Sequence, residues 1–272
     1  MLGGAHSLLI GSDIARFQPL QAWIVFFFIL GMASFLYSVF LFARLGPRQI
    51  YFVEKIERAL DIIDIYLRPF SHNLSFKPGQ FVYVSFRSKE IGGERHPITI
   101  SSSPREPILR LSVKIAGDYT LRLTHLDEGT TAWVYGPYGE FGNSIFRTSD
   151  ETQIWISGGI GVTPFLSIIR SLKFRPIASE VYFFYIFRCP EEGVFNEEIK
   201  EAIKDFPNIH FYSWCTREKG RTAIETFKPF ITNSSKTSVW LCGPTAMMEK
   251  LQKGFVDLEI PPEKIFTERF DM

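Results

Sequence analysis

Residues 153–172 read QIWISGGIGVTPFLSIIRSL, which is an apolar strand, a glycine-rich turn and an apolar-periodic helix in direct succession. The turn holds three glycines that allow the backbone to approach a pyrophosphate closely, namely Gly158, Gly159 and Gly161. Thr163 is placed to cap the helix, and Pro164 suits its first position. Phosphate is the natural ligand of such a helix N-terminus. The same stretch also fits a turn that only joins strand to helix.

The sequence around this turn alternates strands with helices. Apolar strand-like runs are QIWIS, VYFFYIF, HFYSWC and SVWLC, and helical patterns are PFLSIIRSL, NEEIKEAIK and AMMEKLQKGF. Such alternation is typical of a parallel sheet covered by helices on both faces. We therefore predict an α/β domain with a parallel sheet over residues 149–272.

The preceding hundred residues have a different sequence pattern. Short β-type runs (QIYFVEKIE, ALDIIDIYLRP, QFVYVSF, PITIS, ILRLSVKI and AWVYG) are broken by turn pairs such as Pro78-Gly79 and Gly92-Gly93. No helical period interrupts them. The pattern predicts an antiparallel β-barrel over residues 47–148.

An apolar segment precedes the barrel. Residues 22–43 carry no charge, and as a helix they would be roughly 33 Å long, which matches the hydrocarbon core of a bilayer. We predict a transmembrane helix there, within an N-terminal region of residues 1–46. A secretory signal peptide is the alternative, but the apolar run exceeds the usual length of its core and no small-residue cleavage site follows.

The charges on either side of this segment predict its orientation. Arg44, Arg48 and Lys55 follow it, whereas Arg16 precedes it beside Asp13. Because positive charge is retained on the cytoplasmic side, we predict a single-pass protein of the cell membrane with everything after Gly46 in the cytoplasm.

Composition excludes several classes of protein. The 272 residues include 30 Lys plus Arg and 29 Asp plus Glu, so a net charge of +1 gives no reason to expect nucleic acid as a partner. Three widely spaced cysteines argue against a disulfide framework and against a four-thiolate cluster. The five histidines lack metal-ligand spacing, so we predict no metal.

Two further motifs flank the glycine turn. Residues 95–102 read RHPITISS in the predicted barrel, and residues 240–244 read WLCGP at the end of a predicted strand. In order and spacing the three motifs resemble the ferredoxin–NADP reductase superfamily. The His-Pro-x-Thr form and the preceding apolar segment are most similar to the cytoplasmic FAD/NADPH module of ferric reductases and NADPH oxidases. The resemblance covers residues 48–272 and implies FAD and NADPH or NADH as cofactors.

The resemblance also implies roles for individual residues. Thr99 would lie at flavin N5 and Cys242 beside the nicotinamide, while Glu268 and Phe270 match an acidic residue and an aromatic that covers the flavin. The implied FAD-binding residues are Arg95, His96, Pro97, Ile98, Thr99, Gly117, Asp118, Tyr119 and Thr120. The implied nucleotide-binding residues are Gly158, Gly159, Gly161, Thr163, Pro164, Cys242, Gly243 and Pro244.

Some of these positions depart from the superfamily or have a simpler interpretation. The superfamily has an arginine where His96 stands and an aromatic where Ile98 stands, so Arg95 is the candidate for the missing charge. Thr99 also fits an ordinary strand threonine, and His96 fits a residue that ends a strand. Cys242 also fits a small buried thiol.

A basic loop follows the strand HFYSWC. The resemblance implies that Thr216 and Arg217 hold the 2′-phosphate of NADPH, with Lys219 and Arg221 adding positive charge. We therefore expect NADPH to be preferred over NADH. A solvated basic turn is the alternative.

The resemblance implies a membrane-anchored flavin oxidoreductase. Hydride would pass from NAD(P)H to FAD, and single electrons would then pass to an acceptor such as ferric iron or a membrane haem protein. A non-catalytic membrane subunit and a quinone or cytochrome reductase are the alternatives. Residues 22–43 contain no histidine, so we expect no haem in this chain alone. Gly31, Ala33 and Ser34 suit contact with a haem-bearing membrane partner.

Overall fold

A computed structural model describes residues 18–37, 48–148 and 150–269. The chain divides into two compact units, residues 1–47 and residues 48–272. Phe270, one of the expected site residues, lies outside the described residues.

The first unit contributes one described helix, α1 (Gln18–Leu36). Its window Pro19–Leu36 is long and apolar enough to cross a bilayer. Trp23, Phe27 and Ile29 are each 60% exposed. The helix begins four residues before the predicted start at residue 22, and residues 38–43 of the predicted span lie outside the described part. A membrane anchor and a signal sequence both have this length and composition.

Six antiparallel strands form the first sheet of the second unit, in the order β4-β3-β6-β1-β2-β5. They are β1 (Gln49–Ala59), β2 (Ile62–Pro69), β3 (Phe81–Phe86), β4 (His96–Thr99), β5 (Leu109–Lys114) and β6 (Thr131–Tyr138). A bridge between Ile100 and Leu111 brings the end of β4 to β5, the two edges of that order. The sheet therefore curls into the barrel-like form that the short alternating runs predicted.

Alternation along the strands builds the core of this sheet. Ile63, Ile65 and Leu67 of β2 are fully buried at every second position, and Val82, Val84 and Phe86 of β3 repeat the pattern. Their side chains share one face because successive strand residues point to opposite sides. The apolar core therefore lies inside the curl.

Five parallel strands form the second sheet, in the order β11-β10-β7-β8-β9. They are β7 (Thr152–Gly158), β8 (Glu180–Phe187), β9 (Ile209–Cys215), β10 (Thr237–Cys242) and β11 (Ile265–Glu268). The parallel sheet agrees with the predicted alternation, but β11 was not predicted, since four residues near the terminus give little period. Apolar clusters cover both faces, one containing Trp155 and Phe183 and the other Phe184 and Phe255.

The remaining α-helices are short except for the last. They are α2 (Asp118–Arg122), α3 (Phe141–Ile145), α4 (Thr163–Ile169), α5 (Asn196–Ile203), α6 (Thr216–Lys219) and α7 (Thr245–Asp257). Single 3₁₀ turns occupy Leu123–His125, Gly159–Val162, Pro190–Glu192, Ile224–Thr226, Lys228–Phe230, Ser234–Lys236 and Pro262–Lys264. Helix α4 continues directly from the 3₁₀ turn that contains the glycine motif.

Direct hydrogen bonds join the two sheet domains of this unit. Trp240 in β10 donates its indole N–H to Ser144 Oγ in α3 at 2.8 Å. Gln153 in β7 donates to the carbonyl of Ile145 at 3.2 Å. Trp240, Gln153 and Ile145 are buried, so the contact between the domains is part of the folded core.

Candidate functional site

A cleft between the two sheet domains brings the separate sequence motifs together. Its wall is formed by residues of β4, β5, α2, the glycine turn and the end of β11. The predicted site residues in this wall are His96, Pro97, Ile98, Thr99, Tyr119, Thr120, Thr163 and Glu268. Parallel strands end on one edge of the sheet, which is where open α/β domains bind ligands.

All four residues of strand β4 line the cleft. Ile98 and Thr99 are buried, with Thr99 only 5% exposed, whereas Pro97 is exposed. Thr99 lies opposite Phe81 of the neighbouring strand β3, and both line the cleft. The pairing of the two strands thus fixes Thr99 at the cleft wall.

His96 is covered by a second ring. Its imidazole stacks on the ring of Tyr119 with 3.4 Å between centroids and 17° between planes. Glu94 holds this pair from the side, because its carboxylate contacts His96 Nε2 at 3.2 Å and Arg122 at 2.9 Å. The stack encloses one face of the histidine within the protein.

The hydroxyl of Tyr119 lacks a hydrogen-bond partner among the described residues, whereas Glu94 bonds to both His96 and Arg122 nearby. The residue is 8% exposed, and its hydroxyl is buried. Burial, followed by the charge of Glu94, raises the pKa of Tyr119, so the hydroxyl keeps its proton. A buried O–H donor beside a cleft indicates a place for an acceptor atom of a ligand.

Thr120, an implied FAD-binding residue, uses its hydroxyl within its own loop. It accepts the amides of Ala116 and Gly117 at 2.9 and 3.0 Å and donates to the carbonyl of Gly117 at 2.9 Å. One donor and two acceptors are all that a hydroxyl offers. Thr120 therefore shapes the segment, and beside it Gly117 borders open space and Asp118 is exposed.

The glycine turn and the segment at residues 242–244 pack against each other. A Cβ on Gly161 would lie 2.4 Å from the carbonyl oxygen of Cys242, and one on Gly158 would lie 2.7 Å from Pro244. Gly243 has a φ of +153° and meets Gly158 in the same way. These three glycines are therefore required by loop packing alone.

Gly159 differs from the other glycines of the turn. It has a φ of +53°, and a Cβ there would meet nothing within 4 Å. Its need for glycine is conformational, and the space beside it is open to a ligand.

Thr163 does not cap the helix as expected. It is the first residue of α4, with helical backbone angles, and Val162 holds the cap position. Its hydroxyl donates back to the carbonyl of Ile160 at 3.0 Å. The prediction was wrong because the 3₁₀ turn carries the chain into the helix without an extended residue, which a side-chain cap needs. Pro164 follows within the first turn.

Cys242 and Glu268 lie at the carboxyl ends of neighbouring strands. Cys242 is fully buried, and burial and the nearby Glu268 carboxyl raise the pKa of its thiol well above the ordinary value. Burial also raises the pKa of Glu268 to about 7. The thiol therefore stays protonated beneath the cleft wall, while the carboxyl reaches the cleft as a group that titrates near neutral pH.

The basic loop lies apart from this cleft. Thr216 opens α6 directly after β9, and Arg217 and Arg221 are exposed. Two strand spacings separate β9 from β7 and its glycine turn, which is roughly 10 Å across the carboxyl edge. Lys219 instead folds back, with its ammonium 2.9 Å from the carbonyl of Ser213 and 5.5 Å from the Trp214 ring centre.

Arg95, the expected source of charge, turns onto the barrel wall. Its guanidinium lies 3.9 Å from the ring centre of Tyr135 and is outside the set of residues that line the cleft. Conversely, the cleft includes residues that the sequence did not single out as site residues: Phe81, Ser112, Val113, Lys114, Ala116, Ile160 and Arg269. In the sequence, Ser112 differs from its neighbours only as a polar residue within the strand-like run ILRLSVKI. The described residues contain no group of three potential metal ligands.

Two family models match consecutive parts of the chain. A model of an FAD-binding domain matches residues 53–162, and a model of an oxidoreductase NAD-binding domain matches residues 155–253. They overlap at the glycine turn. Together they account for the antiparallel sheet, the turn and most of the parallel sheet.

Curated relatives are similar over most of this chain. Sulfhydrogenase 1 subunit gamma of Pyrococcus furiosus is 30% identical over 71% of this chain and 68% of its own length. NADPH oxidase 1 of Mus musculus is 26% identical over 71% of this chain, which spans only 40% of the oxidase. A ferredoxin NADP⁺ reductase from Neisseria gonorrhoeae, solved with bound FAD and NADP, shares the fold with a TM-score of 0.67. It is 19% identical over 81% of this chain and 96% of its own.

Proposed function

Because the chain belongs to the ferredoxin–NADP reductase superfamily and is an FAD-dependent NAD(P)H oxidoreductase, we propose that it is a membrane-anchored reductase of single-electron acceptors. Its donor is NADPH in preference to NADH, and its acceptor is ferric iron or a membrane haem protein. The observation that carries this proposal is the single cleft in which Thr99, Tyr119 and Thr163 meet Glu268.

The residues of the cleft fit FAD. The buried hydroxyl of Tyr119 offers a donor, and Gly117 and Gly159 leave open space beside the two loops. Ile98 and Phe81 supply apolar wall. One donor, two open glycine loops and an apolar wall are the surroundings that a flavin joined to a diphosphate needs.

FAD, when bound, accepts a hydride from the nicotinamide and passes electrons on one at a time. In this proposal Thr99 would contact the flavin from the cleft wall, where its hydroxyl could donate or accept a hydrogen bond as the protonation of its partner changes. Cys242 would support the nicotinamide side of the cleft as a neutral thiol beneath the wall, and Glu268 would hold or release a proton at the cleft. Tyr119 and the Gly117 segment would hold the rest of the cofactor.

We place the nicotinamide nucleotide along the carboxyl edge of the parallel sheet. Its pyrophosphate approaches Gly159 and the first turn of α4, and its 2′-phosphate lies by Thr216, Arg217 and Arg221. The spacing from β7 to β9 supports this course, because the pyrophosphate and the 2′-phosphate lie at separate points along one extended nucleotide.

Helix α1 is the proposed anchor, with the reductase domains on the cytoplasmic side. Its length, apolar composition and exposed aromatic side chains support this role, as does the positive charge after the span. In sealed vesicles, protease should cleave the reductase domains only when it is added on the cytoplasmic side of the membrane.

The activity is tested with the full chain purified in detergent under anaerobic conditions. We expect a yellow protein whose flavin absorbance bleaches on adding NADPH and returns on adding ferric citrate. A colourless protein that does not take up FAD would favour a non-catalytic membrane subunit. If the bleached flavin regains its colour only with a quinone or a soluble cytochrome, that molecule is the acceptor and the proposed acceptor is wrong.

A further inference from the structure

A buried arginine joins the two sheet domains. Arg110 of β5 is 4% exposed, and its guanidinium donates to Asp64 at 2.6 Å and to Glu198 at 2.8 Å. Asp64 belongs to the same antiparallel sheet, in β2, whereas Glu198 belongs to helix α5 of the nucleotide domain. One side chain thus connects the domains through two charge-assisted hydrogen bonds.

A second arginine extends the connection. Arg170, directly after helix α4, donates to Glu198 at 3.0 Å and to Glu106 of the barrel domain at 3.2 Å. Glu106 also accepts the backbone amide of Ser103 at 2.9 Å. The chain of contacts therefore crosses the domain boundary twice and ends on the segment that follows Thr99.

Serine residues tie the same segment to helix α4. Ser167 in α4 donates its hydroxyl to the carbonyl of Ser102 at 2.7 Å. The hydroxyls of Ser171 and Ser103 are 3.1 Å apart. Thr99 at the flavin wall and the helix that begins at the glycine turn are thus held together by neutral and charged hydrogen bonds.

This network is not needed to explain the stability of the fold, because desolvating its buried charges offsets much of their attraction. Burial lowers the pKa of Arg110, but the hydrogen bond to Asp64 and the charge of Glu198 outweigh it, so the guanidinium remains charged. Replacing a buried ion pair with apolar side chains is often neutral or stabilising, so such pairs are better explained by the geometry they fix. Here the fixed quantity is the placement of α4 and α5 relative to the barrel.

We propose that Arg110 and Glu198 are positioning residues that set the separation between the flavin wall at Thr99 and the nucleotide helix α4. The inference rests on the proposed function, because the separation matters for hydride transfer from nicotinamide to flavin. A misplacement of about 1 Å by a change distant from the reacting atoms lowers such a rate by about 100-fold.

The test compares two isosteric substitutions on one helix. Glu198→Gln removes the charge that meets Arg110 and Arg170. Glu197→Gln is the matched control, since Glu197 is 85% exposed in its side chain and pairs only with Lys200 among the salt bridges of the described residues. We expect Glu198→Gln to bind FAD normally but to slow anaerobic flavin reduction at saturating NADPH by about 10–100-fold. The NADPH concentration for half the maximal rate should be unchanged, and Glu197→Gln should match wild type.

Amide exchange in the FAD-free full chain provides a second readout. Glu198→Gln should raise hydrogen exchange at residues 101–103 and 167–171, while residues 81–86 in the barrel core stay protected. Ser167→Ala, which removes no charge, should cause a smaller rise at the same segments. If Glu198→Gln folds poorly, Ser167→Ala still measures whether contacts between helix α4 and residues 101–103 protect these segments.

Two results would overturn the inference. One is a wild-type protein bleached by NADPH and a Glu198→Gln variant bleached at the same rate. The other is equal exchange at residues 167–171 in wild type, Glu198→Gln and Ser167→Ala. A wild-type chain that binds no FAD, or is not bleached, would refute the proposed function instead, and the exchange experiment would still decide whether Glu198 positions the domains.

Discussion

Cys242 and Glu268 are direct partners in the register of the parallel strands β10 and β11. The thiol is fully buried and the carboxyl is half-buried, and burial raises the pKa of both groups, so each holds its proton more firmly than it would in water. A thiol whose pKa is raised in this way is a poor nucleophile. The pair therefore places a neutral sulfur and a titrating carboxyl side by side at the edge of the cleft.

The Glu268 carboxyl predicts a pH-dependent stability. Its pKa rises from 4.5 in the unfolded chain to about 7 in the folded chain, so the folded state disfavours the ionised form. The contribution of Glu268 to the free energy of unfolding is fully present below pH 4.5 and is lost as the pH rises through 7. Glu268→Gln keeps the neutral form. We expect it to exceed wild type in free energy of unfolding by roughly 2 kcal/mol above pH 8 and to match it near pH 4.5.

Denaturant unfolding of both proteins in the same cofactor state, at several values between pH 5 and pH 9, would measure this difference. Glu263→Gln, a change of an exposed carboxylate in the preceding turn, serves as control. A constant difference between wild type and Glu268→Gln across this range would contradict the raised pKa.

The sequence predicted the features that have a local period. Alternation in runs such as Ile63, Ile65 and Leu67 predicted the barrel strands, and the motifs after parallel strands share one edge by geometry. The stack of His96 on Tyr119 joins residues 23 positions apart and left no local signal. The ion pairs of Arg110 span 46 and 88 positions, so only the folded chain brings them together.

Thr99→Ala should leave FAD bound and slow its reduction. The change removes one buried hydroxyl, while the Gly117 segment and Tyr119 remain. Loss of a neutral hydrogen bond corresponds to roughly 0.5–1.5 kcal/mol, or up to about tenfold in rate. Stopped-flow reduction by NADPH measures it, and Thr99→Ser should keep the wild-type rate. An unchanged rate in Thr99→Ala would reject the role of this hydroxyl.

Arg217→Ala should selectively weaken the use of NADPH. A charge-assisted hydrogen bond to phosphate is worth roughly 1.5–3 kcal/mol, so kcat/KM for NADPH should fall by about 10–100-fold. The value for NADH should barely change, since it has no 2′-phosphate. Lys219→Ala is the control, because that ammonium is bonded to the carbonyl of Ser213. Equal catalytic efficiency of wild type with both nucleotides would refute the preference.

Two glycine substitutions separate loop packing from cofactor binding. Gly161→Ala would place a Cβ 2.4 Å from the carbonyl oxygen of Cys242, so we expect a loss of about 2 kcal/mol or more in unfolding free energy. Gly117→Ala meets nothing within 4 Å, so its unfolding free energy without FAD should stay within about 0.5 kcal/mol of wild type. Its FAD affinity should nevertheless fall. Unaltered affinity in FAD titrations of Gly117→Ala would show that the cofactor does not approach this glycine.

The chain alone should bind no haem. A bis-histidine haem in the membrane needs ligands at bilayer depth, and residues 22–43 contain no histidine. Helix α1 is also a single helix, which does not enclose a porphyrin between packed helices. Electrons must then pass to a soluble acceptor or to a separate membrane partner. We would express the chain alone with haem supplied, purify it in detergent and record its absorption spectrum. Flavin bands without a Soret band are expected, and a stoichiometric Soret band with reduced α and β bands would contradict the prediction.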